Sequence, residues 1–390
     1  MKKNILLVVQ NNSFPFDKRV FKEAYSLTKN GYKVHIICPI SKHDSKKREN
    51  IDGIEVYRYK DFLSSGSALG FTFEYLNSLV RIFALSLYLI FKKKLHAIHV
   101  ANPPDFFWPL ALICKIFKIK FIYDQHDIAP EMYKLKFKNK LIYKILLWNE
   151  RLSARFADAI IVVNNSFDKR LKKLYAFDKK KATVIANGPL KNFEPKENPE
   201  LKKKYIAKKI ILYVGLMTIN DNIEVIIQTA NKLINDLGRK ECFFILLGDG
   251  DVRKKMEVMV TNYHLNNYVE FAGLVSYEIV MEYLSIADVC IAPDQPNGLN
   301  EYLTLIKVME YMKAKKPFVS FDLKETRNLA KDSGLYATSL DDFAQKILKI
   351  IDDPQLAAKL GKEGKAIIEN EYLWEHSEKK LLSLYTKLLQ

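Results

Sequence analysis

Two residues with opposite charges stand together at the start of a helical segment in the second half of the chain. The segment ADVCIAPDQPNGLNEYLTLIKVMEYMKAKKPFVSFD (287–322) reads as a buried strand, a loop through Asn300 and a helix that begins near Thr304. Lys307 lies in the first helical turn, and Glu310 projects from the same face one turn later. Thr304, the free N–H groups of that turn and Lys307 suit phosphate, and Glu310 suits ribose hydroxyls. The pattern favours a nucleotide diphosphate site, and an exposed ion pair between Lys307 and Glu310 is the alternative.

A second polar group follows a strand in the first half of the chain. The segment KFIYDQHDIAPEMY (120–133) places His126 just beyond the carboxyl end of a strand, beside Asp124, Asp127 and Glu131. A histidine at this point could transfer a proton or contact a sugar, and a purely structural histidine fits the pattern as well.

Further polar residues lie near the ends of other strands. The segment FPFDKRVFKEA (14–24) follows the first strand, so Asp17 and Arg19 are expected at the mouth of a cleft. The alternative is a carboxylate at a helix start beside a solvated arginine. His96 and His99 flank the start of one strand and are interpreted as structural.

Short apolar or β-branched runs alternate with helical patterns along both halves of the chain. This alternation predicts parallel sheets covered by helices on both faces. We expect an α/β protein of two Rossmann-like doubly wound domains, residues 1–190 and 191–370, with an interdomain cleft and a last segment, 371–390, that crosses back to the first domain. Prolines, asparagines and charges in residues 187–209 predict a linker with one short helix. The predicted strands are 4–10, 33–39, 53–59, 97–102, 120–124, 158–163, 182–187, 210–215, 242–248, 268–273, 287–293 and 317–322.

The positive charge is concentrated in the first half. Residues 1–190 contain 34 lysines and arginines against 16 acidic residues, whereas residues 191–390 contain 28 against 29. Lysines are interleaved with apolar side chains in 79–94, 106–120 and 134–148. These segments fit helices on an anionic membrane surface, and core helices with solvated lysines fit about as well. The apolar run in 79–94 is too short for a membrane span, and the absence of a nucleic-acid-binding motif argues against a nucleic acid partner.

The four cysteines, Cys38, Cys114, Cys242 and Cys290, are far apart in the chain and lie in or beside apolar runs. Their spacing fits neither a zinc site nor a redox pair, so we expect buried free thiols. The first residues are interpreted as a strand rather than a signal peptide, and a cytoplasmic location is expected.

The serial order of several segments resembles bacterial glycosyltransferase family 4. The segments are FDKRVFKEAYSLTKNGYKVHIICP, ANPPD, YDQHDIAPEMY, NERLSARFADAIIVVN, YVGLM, LLGDGD and KVMEYMKAKKPFV, and they cover nearly the whole chain. The resemblance implies a GT-B fold, a nucleotide-sugar donor, retention of anomeric configuration and no required metal or other cofactor.

The resemblance also implies roles for particular residues. Glu310 would bind the donor ribose, Lys307 the phosphates and His126 the transferred sugar, and these three are the candidate catalytic residues. Gly215, Asn300, Thr304 and Arg327 complete the predicted donor site. Asp17, Arg19, Asn102, Asp127 and Glu131 are predicted on the acceptor side. The family's usual arginine and lysine after the first strand of the second domain are Leu216 and Asp221 here, so the phosphate contacts fall to Lys307, the helix start and Arg327.

The sequence therefore predicts a retaining glycosyltransferase that moves a sugar from a nucleotide diphosphate sugar to a lipid-linked or growing cell-surface glycan. Its expected location is the inner face of the cytoplasmic membrane, reached through the basic first domain. A nucleotide-sugar epimerase of the same architecture and a non-catalytic glycan-binding relative are the alternatives.

Overall fold

The chain divides into two compact units, Met1–Asn187 with His376–Gln390, and Gly188–Glu375. The computed structural model describes residues 2–41, 46–60, 68–176 and 182–390, with the main chain alone for residues 68–74. Each unit is an α/β body with a largely parallel sheet, as predicted. The predicted boundaries at residues 190 and 370 lie within a few residues of the limits of these units.

The first unit is built on a sheet with eight strands among the described residues, in the order β3-β4-β2-β1-β5-β6-β7-β8. All neighbours pair in parallel except β3 and β4. The central strands carry apolar side chains that are buried on both faces, which is the pattern of a sheet covered by two helical layers. The strands are β1 Asn4–Val8, β2 Lys33–Pro39, β3 Arg48–Ile51, β4 Ile54–Tyr59, β5 Leu95–Ala101, β6 Lys120–Gln125, β7 Ala159–Val162 and β8 Ala182–Val184.

Helices connect these strands. They are α1 Lys18–Lys29, α2 Ala68–Lys93, α3 Trp108–Ile116, α4 Ala129–Lys136, α5 Lys140–Phe156 and α6 Asn165–Tyr175.

The second unit has a parallel sheet in the order β11-β10-β9-β12-β13-β14. Its strands are β9 Lys209–Val214, β10 Cys242–Leu247, β11 Val269–Gly273, β12 Val289–Ala292, β13 Phe318–Phe321 and β14 Leu335–Ala337. The helices after α6 are, in chain order, α7 Pro199–Lys204, α8 Ile223–Asn231, α9 Arg253–Asn262, α10 Tyr277–Ile286, α11 Ile306–Lys313, α12 Lys324–Ala330, α13 Leu340–Asp352, α14 Pro354–Ile367 and α15 Trp374–Leu388. Most of α15 belongs to the first unit.

Both sheets reverse their strand order at one point. In the first unit β1 lies between β2 and β5, and in the second unit β9 lies between β10 and β12. The loops that follow the two strands at each reversal, β1 with β5 and β9 with β12, therefore lead to opposite sides of their sheet. Ligands of open parallel sheets bind at such points, beside the carboxyl ends of the strands.

The structure differs from the sequence prediction in three elements. The strands β3 and β14 were not predicted, because β3 is exposed and polar and β14 is only three residues long. The predicted linker contains the expected short helix, α7, but it is not a free connection. Phe193 and Tyr205 are buried in the core of the second unit, so this segment is part of that unit.

The four cysteines are buried and free, which confirms that prediction. The last residues, His376–Gln390, group with the first unit, and Leu381 and Tyr385 of α15 are buried.

Candidate functional site

A buried arginine is the centre of the polar cluster in the first unit. Arg19 lies in the first turn of α1, directly after the β1 loop, and only 4% of its side chain is exposed. Its Nη2 donates to Asp124 Oδ1 at 3.1 Å, and its Nη1 donates to the carbonyl oxygen of Ile185 at 2.9 Å. Its Nε lies 3.2 Å from Glu23 Oε1, one turn further along α1. Arg19 is thus a buried cation held by α1, β6 and the residue after β8, and the alternative of a solvated arginine is wrong.

The two carboxyl groups beside Arg19 differ in protonation. Burial opposes ionisation of Asp124, but Arg19 and His126 outweigh it and hold the pKa of Asp124 well below its usual range. Burial, together with the neighbouring Asp124, raises the pKa of Glu23 well above its usual range despite Arg19. The cluster therefore pairs Arg19 with an ionised Asp124, while burial and Asp124 oppose ionisation of Glu23.

Two histidines contact Asp124 from opposite sides. His126 Nε2 lies 2.7 Å from Asp124 Oδ2, and His99 Nε2 lies 3.2 Å from the same oxygen. Since Asp124 is ionised, His99 Nε2 is assigned as its hydrogen-bond donor. His126 Nε2 accepts from Arg19 Nε at 2.8 Å. His99 Nδ1 then accepts from the hydroxyl of Tyr385 at 2.8 Å, and burial lowers the pKa of His99. His126 is the more exposed of the two, with 14% of its side chain exposed against 1% for His99.

Asn102 fixes the loop that carries His126. Its Oδ1 accepts from the backbone N–H groups of His126 at 2.6 Å and Asp127 at 3.0 Å, while its Nδ2 donates to Asp105 Oδ1 at 2.7 Å. Asn102 directly follows β5, so the end of one strand holds the loop of the next. Burial also raises the pKa of Asp127. Asn102, His126 and Asp127, which the sequence predicted as site residues, are thus brought together.

The other predicted acceptor-side residues have local partners. Asp17 caps α1, since its carboxylate accepts from the backbone N–H groups of Arg19 and Val20 at 3.1 and 2.9 Å. This is the helix-start role that the sequence left as the alternative. Glu131 accepts from the hydroxyl of Tyr143 at 2.9 Å, so it faces α5.

The carboxylates and the imidazole around Arg19 have the chemistry of a metal site, because ligand atoms of Glu23, Asp124 and His126 lie within 4.8 Å of one another. Arg19 Nε lies 2.8 Å from His126 Nε2 and 3.3 Å from Asp124 Oδ2. Arg19 therefore already contacts the side chains that could bind a metal ion. A metal ion there would lie beside the fixed positive charge of Arg19.

A lysine is the centre of the cluster in the second unit. Lys307 lies at the start of α11, and 11% of its side chain is exposed. Its Nζ lies 3.1 Å from Asp294 Oδ2 and 3.3 Å from Asp221 Oδ1, and it stands 4.9 Å from the centre of the Tyr213 ring. Tyr213 belongs to β9, Asp221 follows β9, and Asp294 follows β12. The cluster therefore lies where the strand order of the second sheet reverses.

The ion pairs of this cluster shift the pKa values of its members. Burial opposes the charged form of Lys307, but Asp294, Tyr213 and Asp221 outweigh it and raise the pKa of Lys307. Burial raises the pKa of Asp294, although Lys307 opposes this. Gly215 packs against the cluster, since a Cβ there would lie 2.7 Å from the Tyr213 hydroxyl and 3.3 Å from Lys307 Cε. Gly215 and Lys307 are thus neighbours, as their shared assignment to the donor site requires.

Glu310 lies on the same helix as Lys307 and is buried. Its Oε1 accepts from the hydroxyl of Tyr277 on α10 at 3.1 Å. Lys307 pairs with Asp221 and Asp294 instead, so the alternative of an exposed ion pair between Lys307 and Glu310 is wrong.

Two predicted donor-site residues are placed differently from the prediction. The N-cap of α11 is Leu305, without a side-chain capping bond, so Thr304 is not the capping residue. The error arose because a Thr before an apolar run is a common start signal, whereas this helix begins two residues later. Arg327 is exposed, forms an ion pair with Asp322 and lies 4.4 Å from the centre of the Tyr336 ring. Asn300 stays in the loop before α11, where its Nδ2 donates to the carbonyl oxygen of Gln295 at 2.8 Å.

Several residues of the two clusters were not predicted as site residues. Asp294 follows β12 directly, so the rule that pointed to His126 could have found it. Glu23 lies one helical turn after Arg19, and this i,i+4 spacing of opposite charges could also have identified Glu23 as a neighbour of Arg19. His99, Tyr213 and Tyr385 lie inside apolar runs, and their contacts join residues far apart in the chain.

Two family models match the chain. The Glycosyltransferase Family 4 model matches residues 19–188, and the Glycosyl transferases group 1 model matches residues 195–367. Alpha-D-kanosaminyltransferase from Streptomyces kanamyceticus is 22% identical over 63% of this chain, and the match spans 64% of that relative, slightly less than two thirds. Chitobiosyldiphosphodolichol beta-mannosyltransferase from Kluyveromyces lactis is 22% identical over 98% of this chain and 89% of its own length.

A solved structure shows the same fold. Sucrose-phosphate synthase from Thermosynechococcus elongatus superimposes with a TM-score of 0.80 at 18% identity and covers 99% of both chains. The chain belongs to the glycosyltransferase families of the two models and has the GT-B fold. This confirms the predicted glycosyltransferase family.

Proposed function

We propose that the chain is a retaining glycosyltransferase that moves a sugar from a nucleotide diphosphate sugar to a lipid-linked or growing cell-surface glycan. The observation that supports this best is the position of Lys307 and Glu310, one turn apart, beside the strand-order reversal of the second sheet. A buried ammonium group suits the diphosphate, and a buried carboxylate suits the ribose hydroxyls.

The chemistry proposed for this site needs no nucleophile from the protein. The bond between the anomeric carbon and the diphosphate oxygen breaks, and the acceptor oxygen bonds to the same face of the sugar. The acceptor proton passes to the departing phosphate. Lys307 stabilises the charge that develops on the diphosphate, and positioning supplies the rest of the acceleration. We also propose that this reaction requires no metal ion.

Binding of nucleoside diphosphates tests the donor site. We expect calorimetry with UDP, GDP and dTDP to show binding of one of them to the wild type. Glu310→Gln should weaken it about tenfold or more, since a hydrogen bond to a charged group contributes about 1.5–3 kcal/mol. Glu363→Gln on α14 is the matched control, because Glu363 is exposed and belongs to the same unit. A well-folded protein that binds none of the three would favour the non-catalytic alternative.

Product analysis tests the reaction itself. A glycosyltransferase produces the glycosylated acceptor and the free nucleoside diphosphate with retained anomeric configuration. An epimerase would change the sugar in the absence of any acceptor. Formation of the epimer without an acceptor would overturn the proposed transfer.

We further propose that the first unit binds the inner face of the cytoplasmic membrane. Large apolar side chains are exposed on three of its helices: Leu76, Val80, Tyr88 and Phe91 on α2, Leu112 and Ile116 on α3, and Leu141, Ile145 and Trp148 on α5. We call these residues the apolar face. Exposed lysines stand among them, including Lys118 and Lys144. Apolar side chains at headgroup depth and lysines on lipid phosphates together give peripheral binding.

Aromatic contacts connect the helices that carry the apolar face. The rings of Phe91 and Phe117 lie 5.2 Å apart between α2 and the end of α3. Those of Trp108 and Trp148 lie 5.8 Å apart between α3 and α5. The face is therefore continuous rather than a scatter of single exposed residues, which supports one docking surface.

The helix α2 is longer and more apolar than the sequence argument allowed. Among the described residues, the window Tyr75–Lys93 is long and apolar enough to cross a membrane by length and composition, with a mean hydropathy of 1.3 over 19 residues. Leu79, Ile82 and Leu89 of this helix are nevertheless buried in the first unit, and Lys93 pairs with Glu55 at 2.8 Å. These contacts favour a helix that lies against the sheet and presents one side to lipid.

Co-sedimentation with vesicles tests the membrane proposal. We expect wild-type protein to bind vesicles of phosphatidylglycerol and phosphatidylcholine at low salt, and Ile116→Ser with Trp148→Ser to reduce the bound fraction severalfold. The matched control is Val258→Ser with Leu274→Ser, two exposed apolar residues of the second unit. Equal binding by both double variants would contradict docking through the apolar face.

The lipid-linked acceptor fits this location. The name of the Kluyveromyces lactis relative specifies a sugar acceptor on a lipid diphosphate. A membrane-bound first unit would meet such an acceptor at the bilayer surface.

A further inference from the structure

The proposed phosphate contact is already occupied by acidic groups of the chain. Lys307 Nζ lies within 3.3 Å of Asp221 and Asp294, so one cation faces two carboxylates. If both carboxylates are ionised, the group carries a net charge of about −1 before any donor binds. A diphosphate that reaches Lys307 must therefore approach two like charges.

The two carboxylates are held differently. Asp294 is the inner one, with 6% of its side chain exposed, and Asp221 is the outer one, with 19% exposed. Asp221 Oδ2 accepts from the backbone N–H of Thr218 at 3.1 Å and from its hydroxyl at 2.6 Å. These two bonds form part of a capping box in the turn Ile219–Asp221, which leaves Oδ1 directed at Lys307. Asp221 therefore lies on the more open side of the lysine.

The electrostatic cost of this arrangement is large enough to measure. Like charges about 5 Å apart repel measurably even at an effective dielectric constant of about 20, the value that suits groups near a protein surface. Sharing of Lys307 between Asp221 and phosphate also divides the attraction that the lysine offers to the donor.

We propose that Asp221 is an internal counterion that competes with the donor diphosphate for Lys307 and so weakens donor binding. This rests on the proposed function, because it takes Lys307 as the phosphate contact. Asp294, which is more deeply buried, is the permanent partner that keeps Lys307 charged and in place. Asp221 is a residue that determines donor affinity, and the wild-type site binds nucleoside diphosphates less tightly than its geometry allows.

Removal of the charge of Asp221 tests this. The nucleoside diphosphate that binds the wild type is titrated into Asp221→Asn by calorimetry, and we expect the dissociation constant to fall about tenfold. Asp341→Asn is the matched control, because Asp341 pairs with Lys232 at 2.7 Å on the surface of the same unit and should leave affinity unchanged. Asp221→Ala is the second variant, used if the amide disturbs the turn, and thermal unfolding confirms that each variant is folded.

A double-mutant cycle with Lys307→Ala shows whether Asp221 acts through the lysine. We expect the gain in affinity from Asp221→Asn to become smaller when Lys307 is absent, because only the direct repulsion between Asp221 and the phosphate then remains. Equal or weaker binding by both folded Asp221 variants, while Lys307→Ala loses binding, would overturn the proposed competition and leave the donor site intact. Unchanged binding by Lys307→Ala would instead overturn the assignment of Lys307 as the phosphate contact.

Discussion

The two polar clusters both lie near the point where the strand order of their sheet reverses, yet they hold their cations differently. Arg19 bonds to Asp124 and to a main-chain carbonyl oxygen, and its Nε lies 3.2 Å from Glu23 Oε1. Lys307 contacts two carboxylates and the face of one ring. Arg19 is thus bound from several directions by groups that cannot leave, whereas one of the partners of Lys307 lies on a partly open side.

This difference separates a structural centre from a binding centre. A guanidinium group with fixed bidentate pairing organises the loops around it, and here it orients His126 through Asp124. An ammonium group is a compact charge that can exchange one partner for another. The first cluster is therefore suited to holding the loop of His126 in place, and the second to accepting an anionic ligand.

Removal of each cation in turn should give the largest difference in stability between the two clusters. We expect Arg19→Met to lower the free energy of unfolding by about 3–5 kcal/mol, because it leaves the carboxylate of Asp124 buried without its partner. Lys307→Met should cost less, since Asp294, whose pKa burial already raises, can take up a proton. Urea unfolding measures both, with Lys232→Met as the control, since Lys232 is partly exposed and pairs with Asp341 at the surface. An equal cost for the two variants would contradict the distinction.

Measurements of turnover and nucleotide affinity should distinguish the roles of the two clusters. Lys307→Ala should lower both turnover and nucleoside diphosphate affinity, with the activation free energy raised by about 2–4 kcal/mol. His126→Ala should lower turnover while the affinity for the nucleotide survives, because His126 belongs to the other unit. Steady-state kcat and calorimetric Kd separate the two effects. His264→Ala, in the second unit, is the control, and equal loss of kcat and affinity in His126→Ala would make His126 structural.

The two units should also differ in their response to acid. Burial lowers the pKa of His35 from 6.5 to about 4, although Glu55 opposes this. Between these pH values the unfolded chain binds more protons than the folded one, so stability is lost as pH falls from about 6.5 to 4, by at most about 3 kcal/mol. Hydrogen exchange at pH 7 and pH 4.5 should show that the first unit opens first. His35→Gln should flatten this dependence, and the same slope in that variant would exclude His35 as its cause.

The smallest expected effect concerns the helix starts. Asp17→Ala should lower the free energy of unfolding by about 1 kcal/mol, because it removes the acceptor for two backbone N–H groups of α1. Ser276→Ala at the start of α10 is the comparison, since Ser276 makes no capping hydrogen bond there. Chemical unfolding of the two variants should therefore differ, and equal costs would show that the Asp17 cap contributes nothing specific.

The sequence predicted more of the fold than of the site. Apolar periodicity located most strands, because a strand buried on both faces is a continuous apolar run whatever its neighbours are. It missed β3 and β14, where the segment is polar or very short. It selected Lys307, Glu310, Arg19 and His126 by their positions after strands or at helix starts. Its alternatives, an exposed Lys307–Glu310 ion pair and a solvated Arg19, are wrong, and it did not identify the partners of either cation.

What the sequence by itself determined is the alternation of elements, the family and the excess of positive charge in the first half, because each depends on local pattern or on composition. Only the tertiary structure decided which charges meet. Arg19 lies 105 positions from Asp124, and Lys307 lies 86 positions from Asp221. Those pairings depend on strand order, which brings the ends of distant strands to one edge of a sheet, and no local spacing encodes it.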